Sequence, residues 1–271
     1  MNLRYLLLRL IRRFLPERLT RFLLRRGLVI RPGLETREPA SAVERYSATL
    51  EARGESLTGK RVLVFGYGGN FAVGAELLRA GASHVVLLDR FAPPDDRRNR
   101  ELVRSYPDYF ILQGDQVKTV DAFLTLIHED VKKVKVSEKF DLVLSSSVYE
   151  HLDDVDGLTA ALAALTAPNG IHIHYVDLRD HYFKLPFEML KFSERTWKTW
   201  LNPTSNLNRF RLCDYQRVFD ANFADVMINV LEREPEAFAR ARGPIRPEFL
   251  TGDEAHDMVT LIEVIAANPH R

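Results

Sequence analysis

Residues 61–81 constrain this chain more than any other stretch. They read Arg-Val-Leu-Val-Phe-Gly-Tyr-Gly-Gly-Asn-Phe-Ala-Val-Gly-Ala-Glu-Leu-Leu-Arg-Ala-Gly. The apolar run 62–65 is the pattern of a parallel strand covered on both faces. Gly66, Gly68 and Gly69 then let the backbone turn sharply and approach a ligand with no Cβ in the way. A helix predicted over 70–80 offers its unpaired N–H groups and positive dipole end to an anion. A second apolar run, 85–88, ends in Asp89, an acid placed to accept from both hydroxyls of a ribose. A dinucleotide fingerprint starting at Gly66 needs a small residue at 71; Phe71 stands there and obstructs close helix–strand packing.

From residue 61 onward, strands and helices alternate. Strands are predicted at 61–66, 84–89, 109–113, 140–146 and 170–177, and helices at 70–80, 95–105, 116–129 and 154–166. Such alternation means βαβ units and a parallel sheet. Two more strands, 224–231 and 257–266, follow a helix over 214–222. The expected fold is therefore α/β and Rossmann-like: a doubly wound seven-stranded sheet, mostly parallel, with an antiparallel C-terminal strand and an N-terminal helical extension. In domain terms, 1–31 is a basic amphipathic arm and 32–271 the main domain, with 182–212 an insertion on its acceptor side.

The arm is distinguished by its charge. The chain's net charge is +1, yet residues 1–31 hold nine arginines against Glu17 alone, so the remainder is acidic. Leu3, Leu6, Leu7, Leu10, Ile11 and Phe14 form one stripe at helical spacing. Pro16 stops that helix and opens a second, carrying Leu19, Phe22 and Leu23 to Gly27. Two alternatives stay open: residues 1–30 lie on an anionic membrane surface, at the inner face of a membrane, or they form a cap packed on the body. A third helix is predicted over 39–53. Cys213 is the only cysteine, so no internal disulfide forms, and a reducing, cytoplasmic compartment is expected. The acidic body speaks against a nucleic-acid partner.

Four predicted strand ends line up: 66–70, Asp89, Gln113-Gly-Asp115, and the run 140–151. Ligands of open α/β sheets bind at such carboxyl ends. Asp115 is suited to accept from an exocyclic amine such as that of adenine, and 145–147 supply small side chains beside the first turn. The set suits one adenosine and one small zwitterion rather than a pyrophosphate.

Residues 62–70, Asp89, Gly114-Asp115 and Phe-Asp-Leu-Val-Leu-Ser-Ser-Ser-Val-Tyr-Glu-His-Leu over 140–152 resemble the successive motifs of class I S-adenosylmethionine-dependent methyltransferases. The last run is most similar to the type-11-like small-molecule group. The resemblance covers about residues 55–267. It implies S-adenosylmethionine as cofactor, with Gly66 and Gly68 meeting its methionine portion and Asp89 the ribose. Asp115 would take the adenine amine, Phe91 the adenine face, and Ser145 and Ser146 the methionine side. Val64 departs from the family, which usually has an acid there. Asn70 replaces a third glycine, able to keep the turn because Asn tolerates positive φ and to help bind the cofactor.

Methyl transfer to a hydroxyl also needs a base. His151, just past the fourth predicted strand, is the first candidate. The fifth strand runs Ile171-His-Ile-His-Tyr-Val-Asp-Leu-Arg-Asp-His181 and brings Asp177 and His181 to the acceptor end as acid–base or acceptor-binding candidates. His174 lies about 10 Å along the strand from Asp177 at ~3.3 Å per residue, so no metal is assigned. The aromatics of 182–212 either roof the acceptor or form core. The expected activity is methyl transfer to a small-molecule acceptor, a hydroxyl on a glycan, lipid-linked compound or other metabolite. The rival expectations are a non-catalytic binding protein on the same fold and an NAD(P)-dependent oxidoreductase. Oligomeric state is not legible.

Overall fold

Three strands of the parallel core, at 61–65, 84–88 and 140–146, are short and apolar, and their central residues are buried on both faces. A computed structural model describes residues 3–14, 34–180, 185–202 and 206–270. The strands are β1 (Arg61–Phe65), β2 (His84–Leu88), β3 (Phe110–Gln113), β4 (Gln116–Thr119), β5 (Leu124–Ile127), β6 (Phe140–Ser146), β7 (Thr166–Asp177), β8 (Phe223–Arg233) and β9 (Val259–Pro269). The main sheet has seven strands in the order β5-β2-β1-β6-β7-β9-β8. All pairs from β5 to β7 are parallel, and β9 runs antiparallel to both of its neighbours. The order reverses between β1 and β6, which opens a crevice at their carboxyl ends.

Side-chain alternation sorts the sheet into two cores. Val62, Val64, Leu87, Leu142, Leu144 and Ile173 face one side, under helices α2 (Pro39–Glu51) and α3 (Ala72–Arg79). Leu63, Val86, Val143, Val176, Ile262 and Val264 face the other, under α4 (Val155–Leu165) and α5 (Leu212–Asp220). Asp154 caps α4 by accepting from Gly157 N at 2.9 Å.

The strand rhythm departs from expectation at one place. Residues 116–129, predicted as a helix, are β4, a turn and β5. The predicted third sheet strand, at 109–113, is instead β3, which pairs only with β4 in a separate two-stranded hairpin. The sheet's true edge strand is β5, whose residues after Leu124 are half-exposed. An edge strand covered on one side does not show a continuous apolar run.

The helix α1 (Leu3–Phe14) packs on a third core. There Tyr5 meets Phe187, Met189, Leu190, Trp197, Leu201, Phe238 and Ile245. Most aromatics of the insertion are therefore core, whereas Trp200 stays half-exposed. The predicted second arm helix, the break at 31–33, and His181, Tyr182 and Phe183 lie outside the described residues.

Candidate functional site

The glycine turn after β1 is held from below and open above. Gly66, Gly68 and Gly69 adopt φ of +80°, +67° and +85°, a region closed to most side chains. Gly66 N donates to Leu88 O at 2.7 Å, tying the turn to β2. A Cβ at Gly69 would lie 2.5 Å from the Pro93 carbonyl, whereas one at Gly68 would meet nothing within 4 Å. Buried Asn99 clamps the turn: its Oδ1 accepts from Phe71 N and its Nδ2 donates to Gly69 O, both at 2.9 Å. Asn70 is not in the left-handed region, contrary to expectation; its Oδ1 accepts from Ala72 N at 2.9 Å and closes the helix start. Phe71 does not obstruct that start. It is fully buried and stacks on Phe110 at 5.8 Å, bracing the hairpin against α3.

Asp89 lies beside this turn at the tip of β2. Its Oδ1 accepts from Phe91 N and Ala92 N at 2.8 Å, which fixes the carboxylate. Its Oδ2 accepts from Gly68 N at 3.1 Å, so the acid borders the open side of the turn. Phe91 is 79% exposed, with the Arg90 guanidinium 5.2 Å from its ring centre.

Asp115 requires a correction. It sits in the β3–β4 turn, fully in solvent, paired with Arg100 at 2.9 Å. No strand of the main sheet ends there. The tip beside Asp89 belongs to β5, since Asp89 N donates to Ile127 O at 3.1 Å. Asp130 follows that tip and accepts from Arg90 Nη1 at 2.9 Å and Lys132 N at 3.1 Å. Sequence reasoning missed it, although a short apolar run followed by His-Glu-Asp was the signal.

At the tip of β6, Ser145 and Ser146 part company. Ser145 is fully buried, and its hydroxyl is committed to His174 Nδ1 at 2.8 Å rather than to the crevice. Ser146 is half-buried at the edge, and Ser147 turns the chain with φ +56°. Behind Ser145 runs a hydrogen-bonded chain. His174 Nε2 meets His172 Nδ1 at 3.1 Å, and His172 Nε2 meets Thr166 Oγ1 at 2.7 Å. Thr166 donates its own proton to Leu162 O at 2.8 Å, so it accepts from His172. Each neutral imidazole has one donor and one acceptor, so every proton in the chain is assigned: Ser145 donates to His174, His174 to His172, and His172 to Thr166. Burial pushes His172 down to about 3. Burial, then the neighbouring His172, hold His174 well below the usual imidazole value. Both rings are thus neutral core groups, and among the described residues no cluster of three or more His, Cys, Asp or Glu is arranged to hold a metal.

His151 ends a single helical turn (Tyr149–His151) directly after β6 and is half-exposed at the crevice. Asp177, at the tip of β7, is engaged: its carboxylate accepts from Arg179 Nε at 2.8 Å and Nη2 at 3.1 Å, and Arg179 continues to Glu232. That arrangement ties the carboxylate to the exit of β7.

A family model described as a methyltransferase domain matches residues 6–226. The chain belongs to this methyltransferase family. Its sheet order and glycine turn are those of the class I S-adenosylmethionine-dependent methyltransferases. No curated protein matches the sequence. Among solved structures, phosphoethanolamine N-methyltransferase 2 of Haemonchus contortus is 16% identical, over 83% of this chain and 53% of that one, with a TM-score of 0.51. A protein of Galdieria sulphuraria assigned as a sarcosine dimethylglycine methyltransferase is 13% identical, over 86% and 91%, with a TM-score of 0.51. Magnesium protoporphyrin IX methyltransferase of Synechocystis PCC 6803, crystallised with S-adenosylhomocysteine, is 15% identical over 84% and 83%, with a TM-score of 0.47. At such identities the likeness is one of fold.

The residues present in this methyltransferase fit the methyl donor. The open flank of Gly68 is a cradle any side chain would fill, and Asp89 borders it. A positive group is also in place. Arg45, on α2, lays its guanidinium 3.4 Å from the ring centre of Tyr175, whose strand pairs with Ser146. Its Nε and Nη2 are buried, with no hydrogen-bond partner among the described residues. Buried donors of this kind are costly to leave unpaired, and a carboxylate answers both. The nearby acid Glu35 is pushed up to about 7 by burial, against the Tyr46 hydrogen bond and the attraction of Arg45. Glu35 therefore offsets the arginine's charge only partly near neutral pH. Arg45 was missed because a charged residue on an amphipathic helix reads as solvated.

Beside the turn after β6 lies a cavity of about 610 Å³, bordered by Asp153, Trp197, Lys198, Asn208, Arg209 and Glu248. Asn208 joins that cavity to the His151 turn, donating to Tyr149 O at 2.7 Å and Leu152 O at 3.1 Å.

Proposed function

We propose that this methyltransferase methylates a hydroxyl of a small polar acceptor, with His151 as the base. S-adenosylmethionine brings an already activated methyl on a sulfonium, so the protein's work is placement and proton removal. In this proposal Gly66 and Gly68 give the backbone access, Asp89 takes the ribose hydroxyls, and Arg45 takes the methionine carboxylate. Asp130 and the backbone after it border the adenine side. Val64 is fully buried, so β1 brings no carboxylate to the ammonium, and backbone carbonyls at the strand tips are left to receive it.

The observation that carries the acceptor assignment is Asn208. It is shared between the cavity and the turn that ends in His151. A cavity of this size suits a metabolite. Its lining combines amides and carboxylates with Lys198 and Arg209, a set of donors and acceptors that suits the hydroxyls of a polar acceptor. Glycans and lipid-linked sugars have that chemistry.

Two measurements test the proposal. Titration of S-adenosylhomocysteine should lose about tenfold or more in affinity in Asp89→Ala and Arg45→Met, one lost charge-assisted hydrogen bond being worth at least ~1.5 kcal/mol. Asp115→Ala should bind as the wild type does. With a panel of hydroxylated metabolites and labelled donor, His151→Ala should lower kcat by about 100-fold or more, as loss of a general base does, while donor affinity holds. A His151→Ala enzyme that turns over at the wild-type rate with the same pH profile overturns the assignment of the base.

A further inference from the structure

The helix α1 turns Tyr5 and Arg9, flanked by Leu6 and Leu10, toward the body. Arg9 is fully buried. Its Nε donates to the equally buried Asp180 at 2.9 Å, and Tyr5 donates its hydroxyl to the same carboxylate at 2.6 Å. Arg9 also donates to Leu201 O at 3.3 Å and lies 4.7 Å over the Trp197 ring. This lock fixes the rotation of the helix, and the opposite side is apolar. Leu3, Leu7, Ile11 and Phe14, spaced at three and four residues, are 71%, 59%, 48% and 73% exposed. They form one face about 18 Å long at ~1.5 Å per residue. Trp200 extends the patch: α1 packs on its helical turn (Trp197–Leu201), and the Arg13 guanidinium lies 4.8 Å from its ring.

We propose that this face seats the enzyme on an anionic lipid bilayer, with α1 lying in the plane of the interface. A contiguous exposed apolar patch on an otherwise ordinary surface marks an interaction site. Charge selects the occupant. Arg4 is exposed on α1, and residues 1–31 carry nine arginines against Glu17, whereas the rest of the chain is acidic. A second copy on this face would bring the exposed Arg4 toward its own like charge. An anionic headgroup layer over an apolar interior complements both the arginines and the leucines, and Trp is at home at that depth. Among the described residues no helix is long and apolar enough to cross a membrane, so the attachment is lateral. This inference does not depend on the acceptor.

The test is co-sedimentation of the full chain with vesicles of equal parts phosphatidylglycerol and phosphatidylcholine, and with phosphatidylcholine alone. The protein should pellet with the anionic vesicles and be released as salt rises to about 0.5 M, where charges are screened within a few ångströms. The double variant Leu7→Glu/Ile11→Glu should lose about tenfold or more of that partition. Both sites point outward, so its circular dichroism and S-adenosylhomocysteine affinity should match the wild type. The proposal is overturned if the wild type stays in the supernatant, or if the double variant pellets equally well. It is also overturned if ultracentrifugation reveals a dimer that the double variant abolishes.

Discussion

Lowering the pH from 7.5 to 5.0 should cost this protein about 2 kcal/mol through His172 alone. The ring is fully buried, with an ordinary value of 6.5 pushed down to about 3 by burial. Between those limits the unfolded chain binds a proton that the native state refuses, so stability rises with pH across the window and falls as pH drops through it. Each pH unit is worth ~1.36 kcal/mol. From 6.5 down to 5.0 that gives about 2 kcal/mol, roughly a thirtyfold change in the unfolding equilibrium. His174, also held low by burial, acts in the same direction. Glu35, pushed up to about 7 by burial, takes up a proton in the native state over the same window and acts in the opposite direction, so the share of His172 is read as the difference between variant and wild type. Urea unfolding at the two pH values measures the drop. In His172→Gln the drop should shrink by about 2 kcal/mol, whatever the variant's absolute stability. Ring ¹⁵N shifts should hold both histidines as neutral Nε2–H tautomers at pH 5, because Thr166 can only accept from His172. A native-state ring that titrates near pH 6, or a pH response of His172→Gln within about 0.5 kcal/mol of the wild type's, refutes the reasoning.

Asp180→Ala removes the carboxylate that the Arg9 guanidinium and the Tyr5 hydroxyl share in the third core. Breaking a buried pair by removing one partner costs about 3–5 kcal/mol, and Arg9→Met/Asp180→Leu should restore most of it; urea titration of the three proteins decides. Phe71→Ala empties the contact between α3 and the hairpin and should cost about 3–5 kcal/mol in thermal or urea unfolding, with Phe71→Leu costing less than half of that. A loss below about 1 kcal/mol would place Phe71 outside the core's energetics.

The parallel centre of the sheet was legible because burial on both faces forces an unbroken apolar run. Residues 62–65, 85–88 and 142–144 carry that mark, and all are buried. The third strand was not legible for the converse reason. Phe110–Gln113 has the stronger apolar run yet pairs only within a hairpin, while the edge strand Leu124–Ile127 is half-open to solvent. That exchange moved the strand-end acid from Asp115 to Asp130. The glycine turn was legible because backbone sterics dictate glycine there, and Asp89 lies against it at the end of the next strand. Arg45 was not, since its role depends on Tyr175, which lies 130 residues away in sequence. Ser145 and Ser146 read alike on paper, but strand alternation sends one hydroxyl into the core and leaves the other at the edge. The stripe on α1 was equally plain in the sequence. Periodicity gave its spacing, and only the buried Arg9–Asp180 pair decides which half of it turns outward.

The lock between Arg9 and Asp180 also orders events during synthesis. Helix α1 is made well before its counter-ion, which follows 171 residues later, and the third core closes only once Ile245 has been made. At ~5–20 residues per second, that leaves α1 without its docking partners for on the order of 10 s or more. Throughout that interval a cationic, leucine-rich segment is presented to whatever surface lies nearest the nascent chain. A bilayer met then would receive the helix before the enzyme behind it has folded.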